Sequence, residues 1–145
     1  MKILLQRVLS ATVRVDGEVV GKIARGLLLY VGFTHGDGEK KIDFLLDRVF
    51  GLRVFPDEEQ KMNLSLIDVG GEVLIISQFT LYANCEKGRR PSFIESMPGK
   101  EAEGLYNMML LKAEKILGKV ESGKFGAHME VECVNEGPVN LILDF

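Results

Sequence analysis

Apolar and polar positions alternate from Leu9 to Val15. Leu9, Ala11, Val13 and Val15 fall on one side and Ser10, Thr12 and Arg14 on the other, which predicts a half-buried strand. Asp16-Gly17 separates this run from Glu18 to Ile23, and an Asp-Gly pair between strands predicts a tight hairpin, because glycine tolerates positive φ. The chain therefore opens as antiparallel β. Gly26 to Phe33 (GLLLYVGF) is continuously apolar and reads as a central strand. Thr34 to Gly38 are turn residues, with Asp37 the expected N-cap of a helix that starts at Glu39. In it Ile42, Leu45, Leu46, Val49 and Leu52 recur at helical period, so it is expected to cover one face of the sheet.

Arg53 to Leu66 carries Pro56 and the acidic Asp57-Glu58-Glu59 and reads as an irregular surface excursion. Gly70-Gly71 turns the chain into Val73 to Ile76, a β-branched, uncharged run predicted to be buried on both faces. A second helix is predicted from Lys100 to about Leu117, with Ala102, Leu105, Tyr106, Met109, Ala113 and Ile116 inward. Lys112, Lys115, Lys119 and Lys124 complement its dipole and extend a basic surface. After the tight connection Lys124 to His128, alternation over Met129 to Val134 predicts a strand, Val139 to Leu143 predicts the last one, and Asn135-Glu136-Gly137-Pro138 reads as a hairpin turn between them. The fold class expected is α/β of the α+β type: an antiparallel-rich sheet or partly closed barrel with two main helices packed on it, one domain over residues 1–145.

Composition narrows the function. At 46% hydrophobic and 27% charged residues, a disordered or collagen-like chain is excluded. No apolar run reaches the roughly 20 residues of a membrane span, and Met1 to Leu5 is too short for a signal peptide, so a cytoplasmic protein is expected. Cys85 and Cys133 form no C-x-x-C pair, and His35 and His128 lie in no ligand spacing; neither a metal nor another cofactor is expected, and His35 is read as a turn residue. A net charge of −3 argues against a protein that grips long nucleic acid by charge alone.

Two stretches carry candidate chemistry. Ser77, Gln78 and Thr80 place hydroxyls and a carboxamide where an apolar strand should continue, and buried polar groups need partners. A ladder residue is the commoner role for a strand Ser or Thr, so the cluster matters only together with a second signal. The loop after Tyr82 puts Lys87, Arg89 and Arg90 within four positions, suited to an anionic substrate if not simply solvated. Arg7, a charge among Leu4, Leu5 and Val8, reads from burial preference as an exposed strand position. At Gly137-Pro138 an X-Pro bond is the one place where a cis peptide costs little.

Taken together, S-Q-F-T at Ser77 to Thr80 and N-E-G-P-V at Asn135 to Val139 resemble the D-aminoacyl-tRNA deacylases, editing enzymes. Q-R-V at Gln6 to Val8, G-R-R-P-S-F at Gly88 to Phe93 and F-G-A at Phe125 to Ala127 extend the likeness over essentially the whole chain. His128, Glu136 and Asn140 depart from the pattern, where an acidic residue, Asp and Thr are usual. The resemblance implies hydrolysis of the ester of D-aminoacyl-tRNA, and of glycyl-tRNA mischarged on tRNA-Ala, with L-aminoacyl-tRNA rejected. It implies a homodimer in which a cis Gly137-Pro138 of one chain enters the site of the other, its two carbonyls holding the α-amino group and leaving no room for an L side chain. Ser77, Gln78, Phe79 and Thr80 would form the catalytic floor. Arg7 and Met129 would fix the Gly-Pro turn, Phe125 would bind substrate, and Lys87, Arg89 and Arg90 would meet the acceptor end.

No His or acid near Thr80 in sequence supplies the base that a hydroxyl nucleophile requires. The preferred mechanism uses backbone N–H groups near Gln78, Phe79 and Thr80 to hold the carbonyl oxygen while the 2′-hydroxyl of the terminal adenosine assists water. The alternatives are a non-catalytic module that binds the tRNA acceptor end, and a purely structural dimer.

Overall fold

In the computed structural model, which describes residues 1–145, the chain runs β1 (Lys2–Val15), β2 (Glu18–Ile23), β3 (Gly26–Gly32), α1 (Glu39–Gly51), β4 (Phe55–Pro56), β5 (Met62–Leu64), β6 (Glu72–Ser77), α2 (Gly99–Leu117), β7 (Glu121–Ser122) and β8 (Glu130–Asp144). A short 3-10 turn at Phe79–Tyr82 follows β6. Two helices lie on a mixed, nearly closed, barrel-like sheet, as the α+β reading expects.

Strand β1 organises the sheet. One of its edges carries β8, antiparallel, from Lys2 to Arg14. The other carries β3 over Lys2–Val8 and then β2 over Ala11–Val15. β3 continues in parallel register to β6, and β6 to β7, a short strand that the sequence reading lacks. Parallel neighbours need a long crossover, which α1 with the β4–β5 ribbon and then α2 supply. Across the barrel, β2 approaches β7 so closely that a Cβ on Gly21 would lie 2.7 Å from the Ser122 carbonyl oxygen, an approach only glycine permits.

β3 and β6 are apolar at successive positions because both of their faces are covered. Leu27, Leu29, Val31, Val73 and Ile75 join the helix-side core, while Leu28, Leu74 and Ile76 fill the barrel interior. Helix α1 buries Ile42, Leu45, Leu46 and Val49 as its spacing predicts. On α2, Ala102, Tyr106, Met109 and Ala113 are buried, but Ile116 is half exposed. Lys112 does more than complement a dipole: its Nζ lies 2.9 Å from Glu39 and 2.6 Å from Asp43, linking the two helices, and Lys119 is paired with Glu121 at 2.9 Å.

Leu9 departs from its expected side. In the ladder with β8, Val8 faces Asn135 and Ser10 faces Val134, so Leu9 is an extra residue without a partner. One inserted residue reverses the face to which every later side chain points. Ile3 and Leu5 therefore face the helices, whereas Ala11 and Val13 face the barrel interior, and Leu9 stays exposed.

The two strands expected at the end of the chain are one. β8 runs without reversal along β1, so Asn135 to Pro138 is not a hairpin turn. Gln6 pairs with Asn140 and Val8 with Asn135, which sets Glu136, Gly137, Pro138 and Val139 against Arg7 alone. Four residues opposite one cannot stay in the ladder, and they arch out of it. The Gly137-Pro138 peptide is cis. Residues 53–66, expected to be irregular, form the β4–β5 ribbon, with Phe55 fully buried.

Asp37 is not the N-cap of α1; Gly38 holds that position without a side-chain bond. The Asp37 carboxylate, closed off from solvent, instead accepts hydrogen bonds from the Thr34 N–H (2.8 Å), Lys41 Nζ (2.8 Å) and the Met1 amine (3.1 Å). That amine also donates to the Phe145 carbonyl at 2.7 Å, tying β1, β8 and α1 at one point. Burial pushes the Asp37 carboxyl up, but its donors outweigh this and hold it below its usual value. A carboxyl lowered on folding contributes stability that is whole above its unfolded pKa and is lost as pH falls through the folded one. Asp37→Asn is expected to cost about 2 kcal/mol at pH 7. In urea unfolding the gap from the parent should shrink at pH 3; an equal gap at both pH values would remove the carboxylate's charge from the account.

Candidate functional site

Val73 to Ile76 are buried, and the chain leaves the sheet directly after them. The Gln78 N–H donates to the Val31 carbonyl at 2.7 Å, and the backbone then winds into the 3-10 turn. The polar cluster is less buried than the sequence suggests: Ser77 and Gln78 are half-buried, and Phe79 and Thr80 are exposed. Since the Gln78 N–H is taken, the donors left to face a ligand are those of Phe79 and Thr80, which as the first in a helical turn have no acceptor within it. Gln78 Nε2 donates to Thr80 Oγ1 at 2.6 Å.

A cleft of about 650 Å³ opens at the carboxyl ends of β3 and β6. Ser77, Gln78 and Phe79 form one wall, and Phe125, Met129 and the exposed His128 another. The lining is mainly apolar with a few polar groups, the composition of a small-ligand site. Tyr106, buried on α2, seats the second wall. Its hydroxyl lies 2.8 Å from the Ile75 carbonyl and 3.3 Å from that of Gly123, and its ring packs against that of Phe125, tilted by 43° with centres 5.8 Å apart. Burial pushes the phenol up to about 12, which keeps it a neutral donor. A Cβ on Gly123 would lie 2.5 Å from Met129 Sδ, so glycine makes room for that methionine.

The basic loop is pinched at its base by hydrogen bonds of 2.8 and 2.9 Å between Asn84 and Ser92, with Lys87, Arg89 and Arg90 exposed on it. Phe93 follows at once and packs edge-on to Phe79 with ring centres 5.0 Å apart, so the loop ends in the cleft wall. Thr34 Oγ1 donates to the Glu95 carbonyl and the His35 ring bonds that of Ile94, which makes His35 a tether of this returning segment. Phe33, Met97 and Ala102 also line the cleft, and sequence reasoning missed them. Each reads as an ordinary core residue; Phe93, Gly126 and Ala127, which line it too, stood in motifs without being singled out for the site.

Arg7 is 7% exposed, against the expectation from residue type. Its Nη1 donates to the Val54 carbonyl, its Nε lies 3.1 Å from Glu136, and a Cβ on Gly137 would lie 3.0 Å from its Nη2. Asn135 Nδ2 closes the neck of the arch, donating to the Arg7 carbonyl (2.8 Å) and the Val139 carbonyl (3.4 Å). None of Arg7, Gly137 and Pro138 lines the cleft of its own chain, and Met129 sits in the cleft rather than beside its own turn. Glu136 pairs with Arg25, next to the start of β6, whereas Ser77 lies five residues along that strand, roughly 16 Å away.

No group of three His, Cys, Asp or Glu side chains could hold a metal ion, and no helix is long and apolar enough to cross a membrane.

Residues 4–144 match the family described as D-Tyr-tRNA(Tyr) deacylase. A protein of Listeria innocua named D-aminoacyl-tRNA deacylase is 52% identical over 144 residues, covering 99% of this chain and 96% of that one. One of Clostridium tetani with the same name is 51% identical, covering 99% and 97%. Among solved structures, one named c-Myc DNA Unwinding Element Binding Protein superposes with a TM-score of 0.94 at 38% identity, covering 100% of this chain and 99% of that one. A structure described as a probable eukaryotic D-amino acid tRNA deacylase superposes with a TM-score of 0.87 at 18% identity, covering 99% and 98%, a likeness of fold.

Tyr106→Phe keeps the ring and removes the hydroxyl that faces the Ile75 and Gly123 carbonyls. Stability is expected to fall by about 1 kcal/mol, and amide exchange over residues 123–129 to quicken. Unchanged exchange there would leave the hydroxyl without a part in seating that wall.

Proposed function

This chain belongs to the D-Tyr-tRNA(Tyr) deacylase family, hydrolases that act on aminoacyl-tRNA, and from that membership we propose that it cleaves the ester of D-aminoacyl-tRNA and spares L-aminoacyl-tRNA. The observation that carries this reading is the division of the site. Phe79, whose N–H opens the 3-10 turn, lines the cleft with Thr80 next to it in the chain, and the Gly137-Pro138 turn that would complete the site is exposed and lines no part of that cleft. A second copy supplies what one copy lacks.

Several features support a homodimer. β8 is paired with β1 along one edge and leaves the other free, and a long unpaired edge is a template for another chain. Val134 and Ile142 on that strand are 52% and 81% exposed, and the turn between them is exposed too. With the turn of the partner subunit over the cleft, its two main-chain carbonyls accept hydrogen bonds from the substrate's α-amino group. A D side chain then projects outward, while an L side chain would occupy the space taken by the carbonyls. Glycine has no side chain to exclude, so glycyl-tRNA mischarged on tRNA-Ala is a substrate as well.

For the chemistry, the ester carbonyl oxygen sits at the Phe79 and Thr80 N–H groups, which stabilise it as negative charge develops. Water attacks the carbonyl carbon, assisted by the 2′-hydroxyl of the terminal adenosine, and the tRNA leaves through its ribose oxygen. Thr80 is not the nucleophile. The partner of its hydroxyl is the Gln78 carboxamide N–H, a donor that cannot take up a proton. Phe125 and Met129 shape the amino-acid end of the cleft. Lys87, Arg89 and Arg90 meet the phosphates of the acceptor end, and the reaction belongs in the cytoplasm where charged tRNA is used.

Ester loss followed with paired D-Tyr-tRNA and L-Tyr-tRNA is expected to differ by more than about a hundredfold. Retention of tRNA without ester loss would mean a binding module instead, and equal loss of both enantiomers would end the filter. Thr80→Ala should lower kcat by less than about tenfold, whereas losing a nucleophile costs about a millionfold; an acyl-enzyme trapped on Thr80 would reverse this assignment.

A further inference from the structure

We propose that Arg25, acting through Glu136, is a second brace of the Gly137-Pro138 turn and a positioning residue for enantiomer selection; this rests on the reading of that turn as the filter. An arch of four residues opposite one has ladder bonds only at its feet. Gly137, at φ +116°, is in a region where glycine alone moves freely, so the backbone by itself does not fix how the arch leans. Side chains must do so, and Arg7 is incompletely engaged. Its Nη1 is taken by the Val54 carbonyl, and its buried Nε, though 3.1 Å from Glu136 Oε2, has no aligned hydrogen-bond acceptor.

Glu136 immediately precedes Gly137, and its carboxylate is gripped from the other side. Arg25 Nη2 donates to Oε1 at 3.3 Å and Arg25 Nε to Oε2 at 3.4 Å, a two-pronged contact that sets the orientation of the carboxylate as well as its charge. Arg25 is itself anchored. Its carbonyl accepts from the Glu72 N–H at 3.1 Å, and the Ala24 N–H beside it donates to the Glu72 carboxylate at 2.6 Å. Its guanidinium lies 5.5 Å from the ring centre of the fully buried Phe55. A rigid line thus runs from the start of β6 and the β4–β5 ribbon through Arg25 to the residue that carries the turn.

Arg25 is partly exposed, and such a pair adds little to global stability. Its effect falls on geometry. Enantiomers differ only by exchange of a hydrogen and a side chain on one carbon, so a filter that leans by a fraction of an ångström admits both. Replacing Glu136 by Gln keeps the length and shape of the side chain but removes the charge that both prongs of Arg25 meet.

The test compares Arg25→Ala, Arg25→Lys, Glu136→Gln and Gly137→Ala in the full-length protein on D-Tyr-tRNA and L-Tyr-tRNA, with thermal melts of each. Arg25→Ala and Glu136→Gln are expected to lower the D/L ratio of kcat/KM about tenfold, with the loss on the D substrate falling on KM rather than kcat, and Arg25→Ala should hold the melting temperature. Arg25→Lys keeps the charge but not the fork and should recover part of the ratio. Unchanged ratio and KM in the Arg25 and Glu136 variants, while Gly137→Ala collapses the ratio, would overturn the brace alone. A Gly137→Ala variant with the parent's ratio would overturn the filter reading, and the brace with it.

Discussion

The ladder between β1 and β8 breaks at one place, where Arg7 stands alone against Glu136, Gly137, Pro138 and Val139. The buried charge and the exposed turn both follow from that mismatch. Before it, and again beyond the unpaired Leu9, the two strands are paired in register, so the surplus backbone cannot be absorbed by slippage and must leave the sheet. A guanidinium fills the space beneath it because no apolar side chain could meet both the Val54 carbonyl and the Glu136 carboxylate there. The unpaired Leu9, two residues on, then switches β1 from the helix-side core to the barrel interior. The first interruption thus exposes a turn and buries a charge, and the second lets β1 serve both faces of the sheet.

The cleft follows a different logic. It lies where β3 and β6 end and where segments from the basic loop, the start of α2 and the stretch before β8 meet over an apolar floor. In the proposed reaction polar function there falls to main-chain groups. Such groups gain their positions from the fold and need no titrating partner, which suits a reaction whose substrate brings its own activated ester. Tyr106 illustrates the cost of that choice: a buried hydroxyl on α2 holds two carbonyls so that neighbouring backbone faces the cleft in one arrangement.

Much of this was legible in the residues. The continuous apolar runs of β3 and β6 announced strands covered on both sides, and the spacing of Ile42, Leu45, Leu46 and Val49 announced the face of α1. Short motifs around Ser77 and Gly137 marked the cleft wall and the exposed turn. Less legible were features that depend on a neighbour distant in sequence. Arg7 looked exposed by type, Asn135 to Pro138 looked like a hairpin, and Asp37 looked like a helix cap until the Met1 amine and Lys41 claimed its carboxylate.

Periodicity, turn chemistry and local motifs act within a few residues of the chain, and on that scale the amino-acid order alone determined the elements, the apolar faces and the residues to watch. Register does not work on that scale. That β8 passes Arg7 with four residues to spare, that Glu136 falls between two arginines, and that the turn and the cleft of one chain lie about five residues of strand apart, were decided only when the strands paired, because pairing joins positions more than a hundred residues apart.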